Sequence, residues 1–185
     1  MAVPASMTTL NLSGKFSINK TLSHPPEEIL ELQGVAMLKR KAMSAATLTV
    51  NMKHYKNDSG KECLSLEQTI AGLDLDLGVP EEKVLDWVEQ TRDTKLIGTV
   101  VTKAKRVKVD EVENAYLKEG WSADTLENGC IMVHVTPEGK DSWSAEQTWG
   151  IGEVKGERRH VRRIAFTGRD KKLEHQFVYD YLGEN

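Results

Sequence analysis

The sequence predicts a mainly β fold: a single antiparallel barrel of about ten strands, with a helix-turn-helix lid after the first strand. Three observations predict it. Residues 12–50 read as strand, two short helices, then strand. From residue 50 onward the chain is an almost unbroken series of alternating segments separated by turn residues. A chain of 185 residues is enough for one domain with a proper core and too short for two comfortable ones.

Residues 1–10 read as a flexible tail ahead of a barrel domain at 11–183. Gly14-Lys15-Phe16-Ser17-Ile18 places Phe16 and Ile18 on one strand face, because side chains alternate with period two. Pro25-Pro26-Glu27-Glu28 opens a helix: proline is tolerated in the first turn, and carboxylates suit its positive end. Ile29, Leu30 and Leu32 give that helix an apolar side, Gly34 ends it, and Val35, Leu38 and Ala42 stripe the second helix. Residues 46–55 alternate Leu48, Val50, Met52 and His54 against polar neighbours, Asn57-Asp58-Ser59-Gly60 turns the chain, and the return strand aligns Leu64, Leu66, Gln68 and Ile70. A short alternating piece is expected at 73–77, and another at 84–90 with Leu85, Trp87 and Glu89 in line. Residues 96–109 read as one long strand. Asp110 is placed to cap a short helix through Val112, Tyr116 and Leu117, closed by Gly120. Strands at 130–136, 143–154, 158–167 and 173–182 complete the set.

Composition narrows the function classes. A net charge of −3 and a pI near 6.0 exert no pull toward nucleic acid or an anionic surface. No apolar run approaches the ~20 residues of a membrane span, and the N-terminus lacks a secretory pattern. Cys63 and Cys130 stand at no metal or redox spacing, which points to free thiols in a reducing, cytoplasmic setting. The five histidines show no metal-binding spacing, and no glycine-rich phosphate loop or nucleophile elbow is present, so neither metal nor cofactor is expected.

Strand, helix pair, then a strand meander resembles the cytosolic fatty-acid-binding proteins of the calycin group. Gly14-Lys15-Phe16-Ser17-Ile18 is similar to that family's Gly-x-aromatic-x-aliphatic opening, and Leu32-Gln33-Gly34-Val35 resembles the break between its lid helices. The segment Val178-Tyr179-Asp180-Tyr181 falls where the family carries an Arg-x-Tyr pair that grips a ligand carboxylate. Here Phe177 stands two before Tyr179, so that pair lacks its arginine. The texture also resembles fungal lipocalin-like proteins. The resemblance implies a calycin barrel, a lipophilic ligand and, from the fungal side, secondary metabolism.

A barrel interior is a ligand cavity lined by alternate residues, mostly apolar with a few placed polar groups. Residues of that phase give the candidate ligand contacts: Phe16, Met52, His54, Gln68, Trp87, Gln147, Trp149, Arg162 and Tyr179. Arg162 stands out because it alternates with Ile164 and Phe166. An inward guanidinium requires a partner, which is either an anionic or enolate-like ligand group or Glu89. Against this, tryptophans are most simply core, and Arg158 to Arg163 reads most simply as an exposed hairpin arm with one face solvated.

Two functions fit. One is a carrier of a hydrophobic lipid, terpenoid or polyketide, with Lys39-Arg40-Lys41 on the lid available to an anionic surface. The other is a cofactor-free cyclase, isomerase or Diels–Alderase-like enzyme. It would use Arg162 or Tyr179 as hydrogen-bond donor, His54 or His175 as acid or base, and Trp87 and Trp149 as walls.

Overall fold

The computed structural model describes residues 1–71, 80–139 and 142–184. Ten strands and three helices occur among them: β1 (Gly14–Ile18), α1 (Glu27–Leu32), α2 (Met37–Ala45), β2 (Thr47–Lys56), β3 (Glu62–Ala71), β4 (Glu81–Val84), β5 (Gln90–Thr94), β6 (Gly98–Val107), α3 (Ala123–Asn128), β7 (Cys130–Pro137), β8 (Trp143–Val154), β9 (Glu157–Gly168) and β10 (Lys171–Gly183). They form one curled antiparallel sheet in the order β4-β3-β2-β1-β10-β9-β8-β7-β6-β5. Adding β1 between β2 and β10 is what lets the meander curl back on itself. Among the described residues the two edge strands share no ladder. Arg92 of β5 nevertheless reaches Glu81 of β4 at 2.8 Å, and the segment joining the two strands is held to β6, where Asp86 bridges Lys105 and the Trp87 N–H donates to the Ala104 carbonyl at 2.7 Å.

Alternation makes the interior. In β2 Val50 and Met52 are buried, while Lys53 between Met52 and His54 is exposed. Phe16, Leu64, Leu66, Ile131, Val133, Trp149 and Tyr179 bring the inward faces of other strands into the same core. A second core lies on the outside of the sheet, where Val109, Val112, Leu117 and Trp121 cover Val161 and Val178. That covering segment packs so closely that β8 carries glycine there: a Cβ on Gly152 would stand 2.9 Å from the Gly120 carbonyl.

Several expectations change on folding. Residues 1–10 are packed across one end of the barrel instead of loose. Val3 and Met7 are buried, the Val3 N–H donates to the Arg158 carbonyl at 2.8 Å, and Arg158 donates to the carbonyls of Pro4, Ala5 and Met7. Residues 84–90 are not one strand, because Trp87 adopts φ 61° and turns the chain between β4 and β5. Residues 96–109 contain a hairpin turn into β6, with Thr94 Oγ1 donating to the Gly98 carbonyl. Residues 110–121 form two 3-10 turns, Val109–Glu111 and Tyr116–Lys118, ahead of α3. The strand expected at 73–77 lies outside the described residues. No helix among them is long and apolar enough to cross a membrane.

Candidate functional site

Under the helix pair the barrel opens into a cavity of about 360 Å³. Its walls are Ile18, Leu48, Ile70, Leu96 and Phe177, and the lid contributes Pro25, Pro26, Leu30 and Met43. The expected lid therefore faces the cavity. Helix α2 lies lightly on the rim: none of its residues is buried, and Leu38 is 80% exposed. A second lobe of about 230 Å³ reaches toward the edge strands and is lined by Glu81, Lys83, Arg92, Gln147 and Trp149. A void of about 10 Å³ below them touches Phe16, Met52, His160 and Tyr179. Gln68 and Arg162 line all three spaces.

Strand register explains why Arg162 is there. On β9 it pairs across to Trp149 of β8 and Phe177 of β10, both inward residues. Its guanidinium carbon lies 4.3 Å from the centre of the Trp149 ring, a stacking contact that suits a planar cation. Its Nη atoms donate to Gln147 Oε1 at 2.8 Å and to the Tyr179 hydroxyl at 3.2 Å, while its buried Nε–H has no partner among the described residues. The Trp149 Nε1–H donates to the same Gln147 oxygen at 3.0 Å. Gln147 is thus fixed with its carbonyl oxygen committed and its amide N–H groups unused among the described residues. The side chain of Gln68 makes no hydrogen bond there either. Tyr179 oxygen accepts from Arg162, which polarises its own O–H as a donor.

Charge is concentrated in the second lobe. Lys83 Nζ lies 2.5 Å from Glu81 Oε1 and 3.3 Å from Thr102 Oγ1, and Arg92 Nη1 lies 2.8 Å from Glu81 Oε2. Burial alone would raise the Glu81 pKa. The ammonium of Lys83, then Arg92 and Arg162, outweigh it and hold the group below the usual carboxylate range. Glu89, the expected alternative partner for Arg162, instead faces Lys103 at 3.6 Å. Below the cavity His160 is sealed against Phe16 and Tyr179, with ring centres 5.2 and 5.1 Å away. Burial, reinforced by the charge of Arg162, pushes its pKa down to about 3, so it is neutral, with Nδ1 donating to the Gly150 carbonyl.

Of the residues singled out from sequence, Phe16, Met52, Gln68, Gln147, Trp149, Arg162 and Tyr179 line the connected spaces. Three do not. His54 points inward beyond the floor, where Nδ1 accepts the Leu12 N–H and Nε2 meets Glu62 at 2.7 Å. Trp87 sits apart, with the ammonium groups of Lys103 and Lys105 within 5.1 and 4.7 Å of its ring. His175 stacks on His24 at 5.3 Å in a groove outside the lid, and burial together with His24 lowers its pKa. Sequence reasoning missed Glu81, Lys83 and Arg92. The inward parity of Leu85, run back along β4, reaches Lys83 and then Glu81, which was the available signal.

No family model matches the chain. A probable pericyclase, scpY, from Mollisia scopiformis is 29% identical over 189 residues, spanning 98% of this chain and 95% of its own. The pericyclase pydY from Acremonium sp is 29% identical over 187 residues, with 99% and 98% covered. Among solved structures, a Schistosoma mansoni fatty-acid-binding protein in complex with arachidonic acid superposes with a TM-score of 0.55 at 14% identity, covering 97% of this chain and 100% of that one. The ten-stranded curled sheet with a helix pair after β1 is the calycin fold of the fatty-acid-binding proteins.

Proposed function

We propose that this chain binds a lipophilic, conjugated small molecule in the lid cavity and accelerates a pericyclic ring closure of it without a cofactor. The observation that carries the reading is Arg162: an inward cation at the junction of the cavity, held by neutral partners and a Trp ring, with donor capacity left over. Near full-length similarity to two fungal proteins named as pericyclases supports a secondary-metabolite substrate.

A ring closure of this type requires few proton transfers. The barrier lies in folding a flexible chain so that its reacting carbons meet, and in polarising the bond that accepts electron density. The apolar walls serve the first need by holding one folded conformer. Arg162, Tyr179, Gln147 and Gln68 serve the second by donating to a carbonyl oxygen whose charge grows in the transition state. His54 and His175, the expected acid or base, and Trp87, an expected wall, lie outside the cavity, which favours a closure driven by these donors without a proton-transfer group. The buried, unpaired thiols Cys63 and Cys130 support a cytoplasmic setting. Carriage alone is the second reading, favoured by the apolar lid wall and the unburied helix α2.

The two separate on one experiment. The purified protein is mixed with a linear polyene bearing an α,β-unsaturated carbonyl, and products are resolved by chiral chromatography. Catalysis is expected to give one stereoisomer faster than buffer does. Binding of the polyene with the buffer's rate and isomer mixture would leave a carrier.

A further inference from the structure

We infer that the second lobe is an oxyanion pocket, so that the molecule this protein takes carries an ionised carboxylate or enolate as well as its lipophilic body. This refines the pericyclic function proposed above and rests on it. Its test reads binding rather than turnover, so either can fail alone.

The pocket is built from buried charge. Lys83 is 3% exposed, Glu81 is mostly buried, and Thr102 is 4% exposed. An ammonium has three donors. Glu81 and Thr102 accept two of those of Lys83, and the third has no acceptor among the described residues although its side chain lines the lobe. Lys83 and Arg162 both approach the Trp149 ring, at 5.8 and 4.3 Å, so two like charges share one wall. Glu81 is the one carboxylate among the described lining residues, and Lys83, Arg92 and Arg162 all draw on it. Among the described residues a single carboxylate faces both Lys83 and Arg162, and burying an uncompensated cation is costly. A ligand oxyanion would accept the spare Lys83 donor and a second Nη–H of Arg162 and relieve the repulsion between them. The lobe is continuous in lining with the lid cavity through Gln68, Leu96 and Arg162, which places the anion at one end of the ligand and the apolar body at the other.

The test uses three fluorescent probes that share one polyene chain: cis-parinaric acid, its methyl ester, and the corresponding 2-acyl-cyclohexane-1,3-dione, ionised as an enolate at neutral pH. At least one ionised probe is expected to bind tenfold or more tightly than the ester, and whichever does identifies the oxyanion. Lys83→Met is expected to reduce that preference to about one with ester affinity retained. Glu81→Gln removes the competing carboxylate and is expected to tighten the ionised probe several-fold, which keeps the test open if Lys83→Met folds poorly. Equal binding of all three probes, or a Glu81→Gln variant that weakens the ionised probe, would overturn the inference.

Discussion

Two arginines of the same sheet, on β6 and β9, are used in opposite ways. Arg106 on β6 is committed throughout. Its Nε donates to both oxygens of Glu62 at 3.1 Å, one Nη reaches the Asn128 and Gly129 carbonyls, and the other reaches the Thr9 carbonyl and Glu62. It ties the N-terminal segment, α3 and β3 together. Burial would raise the Glu62 pKa, but hydrogen bonds from His54 and Arg106 outweigh it and hold it at about 2. Among the described residues Arg162 on β9 has no carboxylate in hydrogen-bond contact and no acceptor for its Nε–H, and a cavity lies beside it. A saturated arginine is structural. On the function proposed above, an arginine held by neutral partners beside a cavity is the one that meets the ligand.

The largest effect that sharpens this contrast is on stability. Arg106→Met leaves Glu62 with only His54 and is expected to lower the unfolding free energy by about 3 kcal/mol, the low end for losing one partner of a buried ion pair because this pair is only partly buried. Arg162→Met removes a cation whose charge is not matched, and its urea midpoint is expected to stay close to wild type. Equal destabilisation by both would erase the distinction.

Acid is expected to act on a comparable scale. A histidine whose native pKa is lowered contributes stability that is complete above its unfolded pKa, near 6.5, and is lost as pH falls toward the native value. For His160, at about 3, that is a loss of roughly 1.4 kcal/mol per pH unit through this window. Glu62 acts lower, its contribution present above the unfolded carboxylate pKa and disappearing as pH falls through about 2. Urea midpoints measured from pH 7 to 4 should therefore decline in wild type and decline less in His160→Phe. Parallel curves would remove the buried histidine from the account.

The smallest effect belongs to the lid. Lys171 pairs with Glu28 of α1 at 2.9 Å, but both side chains are well exposed. Lys171→Met is expected to leave the melting temperature unchanged within error. A clear fall would mean that the lid is tied to the barrel more firmly than the light seating of α2 suggests.

How much of the fold and the site was legible in the sequence depended on element length. The ten-residue alternation of β2 and the twelve-residue run of β9 displayed their inward phase, which is why Val50, Met52 and Arg162 could be placed. Strand β4 is four residues long, too short for Glu81 and Lys83 to show a period. Trp87 was assigned inward by extending that period across a residue whose positive φ ends it. Parity also says nothing of height: His54 shares the phase of Met52 but lies at the packed end, and His175 shares that of Tyr179 but lies beyond the rim. The N-terminal segment has no period at all. Its place is set by long-range bonds from Arg158 and Arg106, which no local pattern encodes.

The most direct test of the central claim compares wild type and Arg162→Met on the same linear polyene, measuring ligand affinity and single-turnover ring closure together. If Arg162 acts on charge that develops in the transition state, affinity should change by no more than a few-fold while the closure rate falls roughly 100- to 1,000-fold, the usual loss for one positioned donor. A variant that binds and closes the ring as fast as wild type would contradict the claim, as would one whose whole defect lies in binding.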